Sequence, residues 1–518
     1  MLITAFFNFV WFHNEFMNNK LKFLTLLIPL SIIFVTCHRV GTEGIDTLKQ
    51  HIEENIYLKN TDPINYLSFE DLDKLSRTAE PEGEIKDRLT NHLSMVYILN
   101  RPTEAKLTNS HIRIAQWNIK RGLNAYEIKE LLINTKNYEN KGIKNLKIWD
   151  RKRFKNELNT FANADILCLN EVDIGMPRTG YKNIVSYIAD PLNLNYAYAT
   201  EFIEVGPLFL MSNINKNLYK GLHGNVIISK YPIISAEVIR LPKIYSWYKA
   251  EINRYQSPLE HFRKGLAKGI FSQGIERYEV RHGERNAIIA DIKLPNDKII
   301  TVISTHFEDR AYPDERLKQF KYLLEKIKDK KTPVILAGDL NTSTTDTKPT
   351  YFKKEVEKRI RDPHFILREI GSAFVPGFPI VSGLAAITAS KLIQYKDPFF
   401  PNIPVIFPNH ERKFYTYLKK FRFSDGIPFD LSGDKKRSSN GRKGLLANSN
   451  QRHWKGFKST YKLEEPRIIA YFKLDWFFVK PIGKFCLPFN GKTLKTLNRS
   501  LKKGISDHNP ITVDIMLY

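Results

Sequence analysis

Short runs of β-branched and apolar residues recur between residues 112 and 515, and several carry an acid, an amide or an imidazole at one end. They are Ile112 to Trp117, Asp165 to Asn170, Asn225 to Ser229, Ala287 to Lys293, Ile299 to Thr305, Val334 to Ala337, Lys473 to Val479 and Ile511 to Ile515. Gly, Pro, Asn or Asp residues bound them, which marks them as strands. Helical patterns fill several of the long gaps, whereas Pro295-Asn296-Asp297 joins two runs as a near-hairpin. Long helical crossovers mixed with a hairpin predict a mixed α/β sandwich and not a regular doubly wound sheet.

At 518 residues the chain exceeds an ordinary domain, so one large domain with insertions, or two domains, are expected. With 42% hydrophobic and 26% charged residues it is too apolar for general disorder and too polar for a polytopic membrane protein. The 80 Lys and Arg against 55 Asp and Glu leave a net +25. That excess favours anionic partners such as nucleic acid, phosphorylated small molecules or acidic lipid headgroups. Three cysteines, Cys37, Cys168 and Cys486, make neither a disulfide framework nor a thiolate zinc site.

Near the amino terminus, Asn18-Asn19-Lys20-Leu21-Lys22 precedes an uncharged run from Phe23 to Thr36, the layout of a secretory signal with Met17 as a candidate start. Its 14 residues are short for a membrane span. The run ends at Cys37, where a bacterial lipoprotein signal places its lipidated cysteine, although Phe34 and Thr36 depart from the residues usual there. Residues 1–37 are therefore expected to be a signal peptide or membrane anchor, and the protein to be exported, either anchored in the cell envelope or secreted. Residues 38–109 read as a tether with a helical lead-in, and 110–518 as the main domain. Within that domain, the 133 residues from Thr342 to Leu474 form an insertion with 25 basic and 12 acidic residues, about half of the chain's excess charge. Its uncharged stretch Ile370 to Ser390 is broken by Gly and Pro, so it reads as a buried loop and helix and not as a span.

The polar ends of the strands carry the chemistry. Gln116-Trp117-Asn118 closes the first, Asn170-Glu171 the second, Ser304-Thr305-His306 a later one, and Gly338-Asp339-Leu340-Asn341 the next. Leu474-Asp475-Trp476 opens another, and Ser506-Asp507-His508-Asn509-Pro510 precedes the last. Singly each is a weak signal. Together, and in this order, they resemble the endonuclease/exonuclease/phosphatase superfamily, the group of deoxyribonuclease I, abasic-site endonucleases, bacterial sphingomyelinases and inositol polyphosphate 5-phosphatases. The resemblance spans about Ser110 to Tyr518, and Asn170 replaces the glutamine frequent before the glutamate.

The resemblance implies a four-layer αββα sandwich of two mixed sheets, here with a large basic insertion, and a metal-dependent phosphoric ester hydrolase. It implies Mg²⁺, with Mn²⁺ as a substitute, held by Glu171, Asn118 and Asp507. His508 would be the general base on a loop, oriented by Asp475. Asp339 would orient the attacking water, Asn341 donate to a phosphate oxygen and His306 stabilise the developing charge. Weaker candidates for contacting the phosphate are Arg178, Asn225, Arg285 and Asn286.

Hard oxygen ligands suit Mg²⁺. Phosphate ester hydrolysis needs that charge neutralisation together with a deprotonated water in line with the leaving group. A nuclease would use Trp454, Phe457 and Tyr461, interleaved with Arg452, Lys455, Lys458 and Lys462, to stack bases and bind phosphates. A phospholipid or phosphoinositide phosphodiesterase would set the same charge on an anionic membrane. A surface-binding protein on the same scaffold is the remaining, non-enzymatic class. The nuclease-like reading is preferred, and the protein is expected to be a monomer.

Overall fold

The computed structural model describes residues 64–102, 107, 109–206, 214–256, 279–342, 411–431, 452–453, 456–464, 468–501 and 504–517. The amino-terminal signal with Cys37, the stretch Ile370 to Ser390, and Trp454 and Lys455 lie outside these residues. Among the described residues no helix is long and apolar enough to cross a membrane.

Two mixed sheets face each other. The first runs in the order β1 (Tyr97–Leu99), β4 (Asn195–Glu204), β5 (Leu222–Ser229), β3 (Ile166–Ile174), β2 (His111–Asn118), β17 (Ile511–Met516) and β16 (Pro488–Thr493), with β7 (Arg281–Gly283) also on β4. The second runs β15 (Asp475–Lys480), β10 (Val334–Asp339), β9 (Ile299–His306), β8 (Asn286–Lys293) and β6 (Ile233–Arg240). In each sheet one pair, β2 with β3 and β10 with β9, is parallel and the other pairs are antiparallel. Two small ribbons, β11 (Arg452–His453) with β12 (Gly456–Phe457) and β13 (Tyr461–Glu464) with β14 (Ile468–Phe472), complete the strands. The expected strands are all present, and the near-hairpin joins β8 to β9, with Asp297 left-handed at its turn (φ 59°).

Strand alternation sorts the side chains into layers, because successive residues point to opposite faces. Ile112 and Ile114 of β2 and Ile166 and Cys168 of β3 share a cluster with Ile335 and Ala337 of β10 and Phe477 and Val479 of β15. That cluster is the filling between the sheets. Their neighbours Ala115, Trp117, Leu167 and Leu169 point outward, onto helices α3 (Ala125–Ile133), α4 (Thr135–Lys144), α5 (Ile148–Ala162) and α6 (Ile184–Ala189). On the other side Val334, Leu336, Trp476 and Phe478 meet α8 (Pro313–Ile327) and α9 (Arg412–Lys420). The result is the expected αββα order.

Two segments contribute more to this core than the sequence pattern suggested. The lead-in supplies α1 (Phe69–Ser76), closed by a reciprocal Ser68–Asp71 cap, and α2 (Gly83–Ser94), and their Leu72, Leu75, Leu89 and Leu93 are buried before β1 joins the first sheet. From the insertion, residues 411–431 cover the outer face of the second sheet. The rings of Phe414 and Phe320 stack at 3.9 Å between centroids, and Glu411 pairs with buried Arg316. Helix α7 (Trp247–Gln256) borders the polar end of the sandwich through Trp247, and α10 (Lys495–Asn498) stands beside it, Asn498 Nδ2 donating to the Ser506 carbonyl (2.7 Å).

Candidate active site

Strand register gathers the polar termini at one end of the sandwich. In the second sheet Asp339 is the direct neighbour of His306 on one side and of Asp475 on the other. In the first, Asn118 stands beside Asn170, one residue before Glu171. Glu171 lies in a β-bulge between β3 and β5 and is left-handed (φ 56°). Bulges re-aim side chains in this way beside active sites. Asn341 (φ 48°), Lys120 (φ 49°) and Arg121 (φ 63°) also leave their strands left-handed, so the chain turns sharply where the functional groups are presented. Gly338 has no alternative, because a Cβ there would lie 1.9 Å from the Thr305 carbonyl oxygen on the adjacent strand.

Buried amides lace the two sheets together beneath this end. Gln116 Nε2 donates to Asn170 Oδ1 (2.9 Å), Asn170 Nδ2 to Asn225 Oδ1 (2.8 Å) and Asn225 Nδ2 to Asn286 Oδ1 (2.9 Å). The Asp339 backbone N–H also donates to Asn170 Oδ1 (3.0 Å). Asn170 thus bridges the sheets.

Above them opens a cleft of about 240 Å³, lined by Glu171, His306, Asp339, Asn341, Asp507 and His508 together with Arg285. Asn118 and Asp475 stand behind it. Asn118 Nδ2 donates to Glu171 Oε1 and to Asp339 Oδ2, both at 3.0 Å, while its Oδ1 accepts the Lys120 N–H (3.1 Å). Asn118 thus clamps two carboxylates through its amide hydrogens while its oxygen accepts a backbone N–H. His508 Nδ1 is 2.8 Å from Asp475 Oδ2, and its Nε2 is 3.5 Å from Asp339 Oδ2. His508 is on a loop as expected, yet it is 5% exposed, with the ring of Tyr461 4.8 Å away.

Burial alone would push the His508 imidazole down, but the carboxylates of Asp475 and Asp339 outweigh it and raise the group to about 10. Burial would likewise raise Glu171, and the neighbouring His306, His223 and Arg121 hold it at about 2 instead. Asp339 goes the other way, raised by burial and by Asp475. Asp475 stays below its ordinary value despite burial, because of His508 and Thr460.

Of the weaker candidates only Arg285 lines the cleft, bonded to Glu201 Oε2 (3.1 Å) and His306 Nδ1 (2.7 Å). Arg178 is instead turned inward by Asp173 and Glu204, each of which accepts two hydrogen bonds from it. Asn225 and Asn286 are spent in the amide chain, so neither reaches the cleft. The sequence reading missed His223, a cleft residue whose Nδ1 lies 2.9 Å from Asp173 Oδ1, and Thr460, whose Oγ accepts the backbone N–H of Asp475 (3.1 Å). His223 stands two residues before the candidate Asn225, and that proximity was the available signal.

The residues fit a hard divalent cation. Glu171 and Asp507 offer carboxylate oxygens to the cleft, Glu171 is held ionised, and the two described cysteines are buried in the core. Among the described residues Asp339, Asp475 and His508 also form a potential ligand group, their donor atoms all within 4.8 Å. There the imidazole already answers both carboxylates, so a base and its partners is the more economical reading.

Comparison with known proteins decides the lineage of this arrangement. The family model described as Endonuclease/Exonuclease/phosphatase family matches residues 115–508. The chain belongs to the endonuclease/exonuclease/phosphatase family. Members of this family are phosphoester hydrolases and generally depend on a divalent metal, so the chain is a phosphoric ester hydrolase. Similar solved structures include an endonuclease/exonuclease/phosphatase from Beutenbergia cavernae DSM 12333, at 14% identity, TM-score 0.37 and coverage of 79% of this chain and 72% of that one. The 3'-5' exonuclease NExo from Neisseria meningitidis is similar at 12% identity and TM-score 0.37, with 78% and 99% covered. The human Nocturnin catalytic domain with bound sulfate follows at 13% and 0.35, with 82% and 98% covered. A search of curated proteins found no match.

Proposed function

We propose that the chain is a Mg²⁺-dependent phosphodiesterase acting on nucleic acid, with Mn²⁺ as a substitute ion, in which His508 deprotonates an attacking water. The observation that carries this is the pairing of His508 with Asp475 at 2.8 Å, in the same cleft as Glu171 and His306. A carboxylate on Nδ1 fixes the tautomer and leaves Nε2 to take the water's proton. Asp339, beside Nε2, orients that water. Asn341 spends one amide hydrogen on the Phe307 carbonyl (2.9 Å) and keeps the other for a phosphate oxygen. His306, backed by Glu201 and Arg285, faces the charge that builds on the phosphoryl oxygens. Glu171 and Asp507 would hold the divalent cation, which when bound neutralises the phosphate and lowers the charge barrier to attack.

Export belongs to this proposal, supported by the apolar run that ends at Cys37, and places the enzyme in the cell envelope or the medium. Mass spectrometry of the mature amino-terminal peptide tests it, since an intact Met1 or Met17 start would count against it. For the activity, bis(p-nitrophenyl) phosphate should be hydrolysed with Mg²⁺ and not in EDTA, and Glu171→Ala should raise the Mg²⁺ concentration required. Undiminished turnover in EDTA refutes the metal assignment. Comparing plasmid DNA with anionic liposomes tests the substrate class, and cleavage of lipid alone refutes the nucleic acid.

A further inference from the structure

Beside the cleft, the outer layer carries a strip of cations that the catalytic reading does not use. It begins at β13, where the ring of Tyr461 lies on His508 and the Lys462 N–H reaches the Asp507 carbonyl (3.4 Å). From there it crosses α10 and reaches α5. Further along, Lys458 and Lys495 are half-buried, with Arg153 beside Lys458 and Arg499 beside Lys495. Like charges held this close, on three separate elements, mark a surface built to meet negative charge.

The strip ends in a groove of about 450 Å³ between α5 and β16, whose lining includes Trp149, Lys152, Arg153, Glu157 and Lys492. Glu157 is not available to a ligand, because it accepts the backbone N–H groups of Thr496 (2.6 Å) and Leu497 (2.9 Å) and the Nε–H of Arg153 (2.8 Å). Trp149 stands at the far end, 74% exposed, with the Lys147 ammonium 5.1 Å from its ring. Its indole is thereby open to a planar partner at the end of the cationic groove. At about 1.5 Å of rise per residue, Trp149 lies roughly 12 Å along α5 from Glu157, so the strip outreaches any single phosphate ester.

We propose that this strip from Lys462 through Lys495 and Lys492 to Trp149 binds the flanking part of a single-stranded nucleic acid, with Trp149 stacking on a base. The inference rests on the phosphodiesterase reading of the cleft and names the polymer that enters it. A strand fits because phosphates recur along it and a planar base can face the indole, while Lys152, Arg153 and Lys492 line the groove and Lys462 on β13 adjoins the cleft at Asp507. A membrane is the competing partner, since Ile148 beside Trp149 is 76% exposed.

The test uses a fluorescein-labelled 20-nucleotide single strand, binding to the full chain in EDTA, over a series of salt concentrations. Trp149→Ala should weaken binding by roughly 5- to 100-fold, the scale of one base stack removed. Lys152→Glu with Lys492→Glu should weaken it further and flatten the salt dependence by about 0.7 in log–log slope for each phosphate no longer neutralised. Bis(p-nitrophenyl) phosphate, too small to reach the groove, reports on the cleft alone and should be hydrolysed by these variants as by the parent. If the parent hydrolyses neither ester nor strand with any divalent ion, the catalytic reading fails while the binding series still judges the strip. Unchanged affinity for the strand in all variants overturns the proposal. So does a loss confined to phosphatidylserine vesicles, which would make the strip a membrane contact.

Discussion

The His508–Asp475 pair can be tested through the direction in which a pH profile moves. His508 is raised from 6.5 to about 10, and Asp475 leads the groups that raise it. Replacing Asp475 by Asn removes one carboxylate next to a buried imidazole, a change worth roughly 1–3 pKa units. The acid limb of kcat/KM should move down by that amount with the same divalent ion present, because the imidazolium has lost its counter-charge. Turnover on the plateau should fall as well, by about 10²–10⁴, since an amide can donate to Nδ1 and leave the proton on Nε2, where the base must be free. His508→Gln should abolish the limb, and the double variant should be little slower than His508→Gln, since groups acting as one unit are not additive. A stopped pH series on bis(p-nitrophenyl) phosphate reads all three. A limb that moves up, or an unchanged plateau in Asp475→Asn, refutes the dyad. The truncation His508→Ala is the worse probe, even at a loop position. At 5% exposure it would leave buried Asp475 and Asp339 without the imidazole between them, and the melting temperature should drop.

Three further outcomes follow from the packing. Gly338→Ala forces a methyl to within 1.9 Å of the Thr305 carbonyl, so β10 must part from β9, and both melting temperature and activity should fall. Deleting residues 348–466, which the sequence presents as a removable insertion, should yield an insoluble or unfolded product by circular dichroism, because it strips Phe414, Tyr415 and Leu418 from the second sheet at about 1.5–3 kcal/mol for each large apolar side chain. Finally, Lys473 is 3% exposed, its ammonium has no hydrogen-bond partner among the described residues, and burial lowers it from 10.5 to about 7. A folded value below the unfolded one means a penalty that is full below about pH 7 and gone above 10.5, so Lys473→Met should stabilise the protein at pH 6, by at most roughly 5 kcal/mol, and do nothing at pH 11. Denaturant titration at both pH values measures it.

Which elements were legible follows from where their neighbours come from. Strands such as β2 and β10 announce themselves because both faces are apolar over a short span closed by a polar group, and that terminal group is the functional one. Strand β4 was missed for the opposite reason. All ten of its residues are buried, but they include Thr200, Glu201 and Glu204, whose side chains meet His92 on α2, Asn225 on β5 and Arg178 respectively. The lead-in was underestimated because α1 and α2 are short amphipathic helices, and their apolar faces acquire meaning only once the first sheet exists to cover.

The same physics separates the site residues that could be read from those that could not. Gly338-Asp339-Leu340-Asn341 and Ser506-Asp507-His508 are local motifs whose backbone turns place the side chains, so the amino-acid order by itself names their residues. Arg178 looked like a phosphate ligand because an arginine near a strand end usually has water for a neighbour. Here Asp173, five residues earlier, and Glu204, contributed by β4, meet it first, and the guanidinium becomes a brace. That brace in turn holds Asp173 where it can tie His223 Nδ1, an imidazole brought opposite it by the β3–β5 register across 50 residues of sequence. Two of the three histidines that line the cleft, His508 and His223, are each anchored through Nδ1 to a buried aspartate on a neighbouring strand. Only the first sits in a motif short enough to be seen in the sequence. The second exists because three strands paired, and a long-range pair of that kind leaves no spacing for a sequence reader to find.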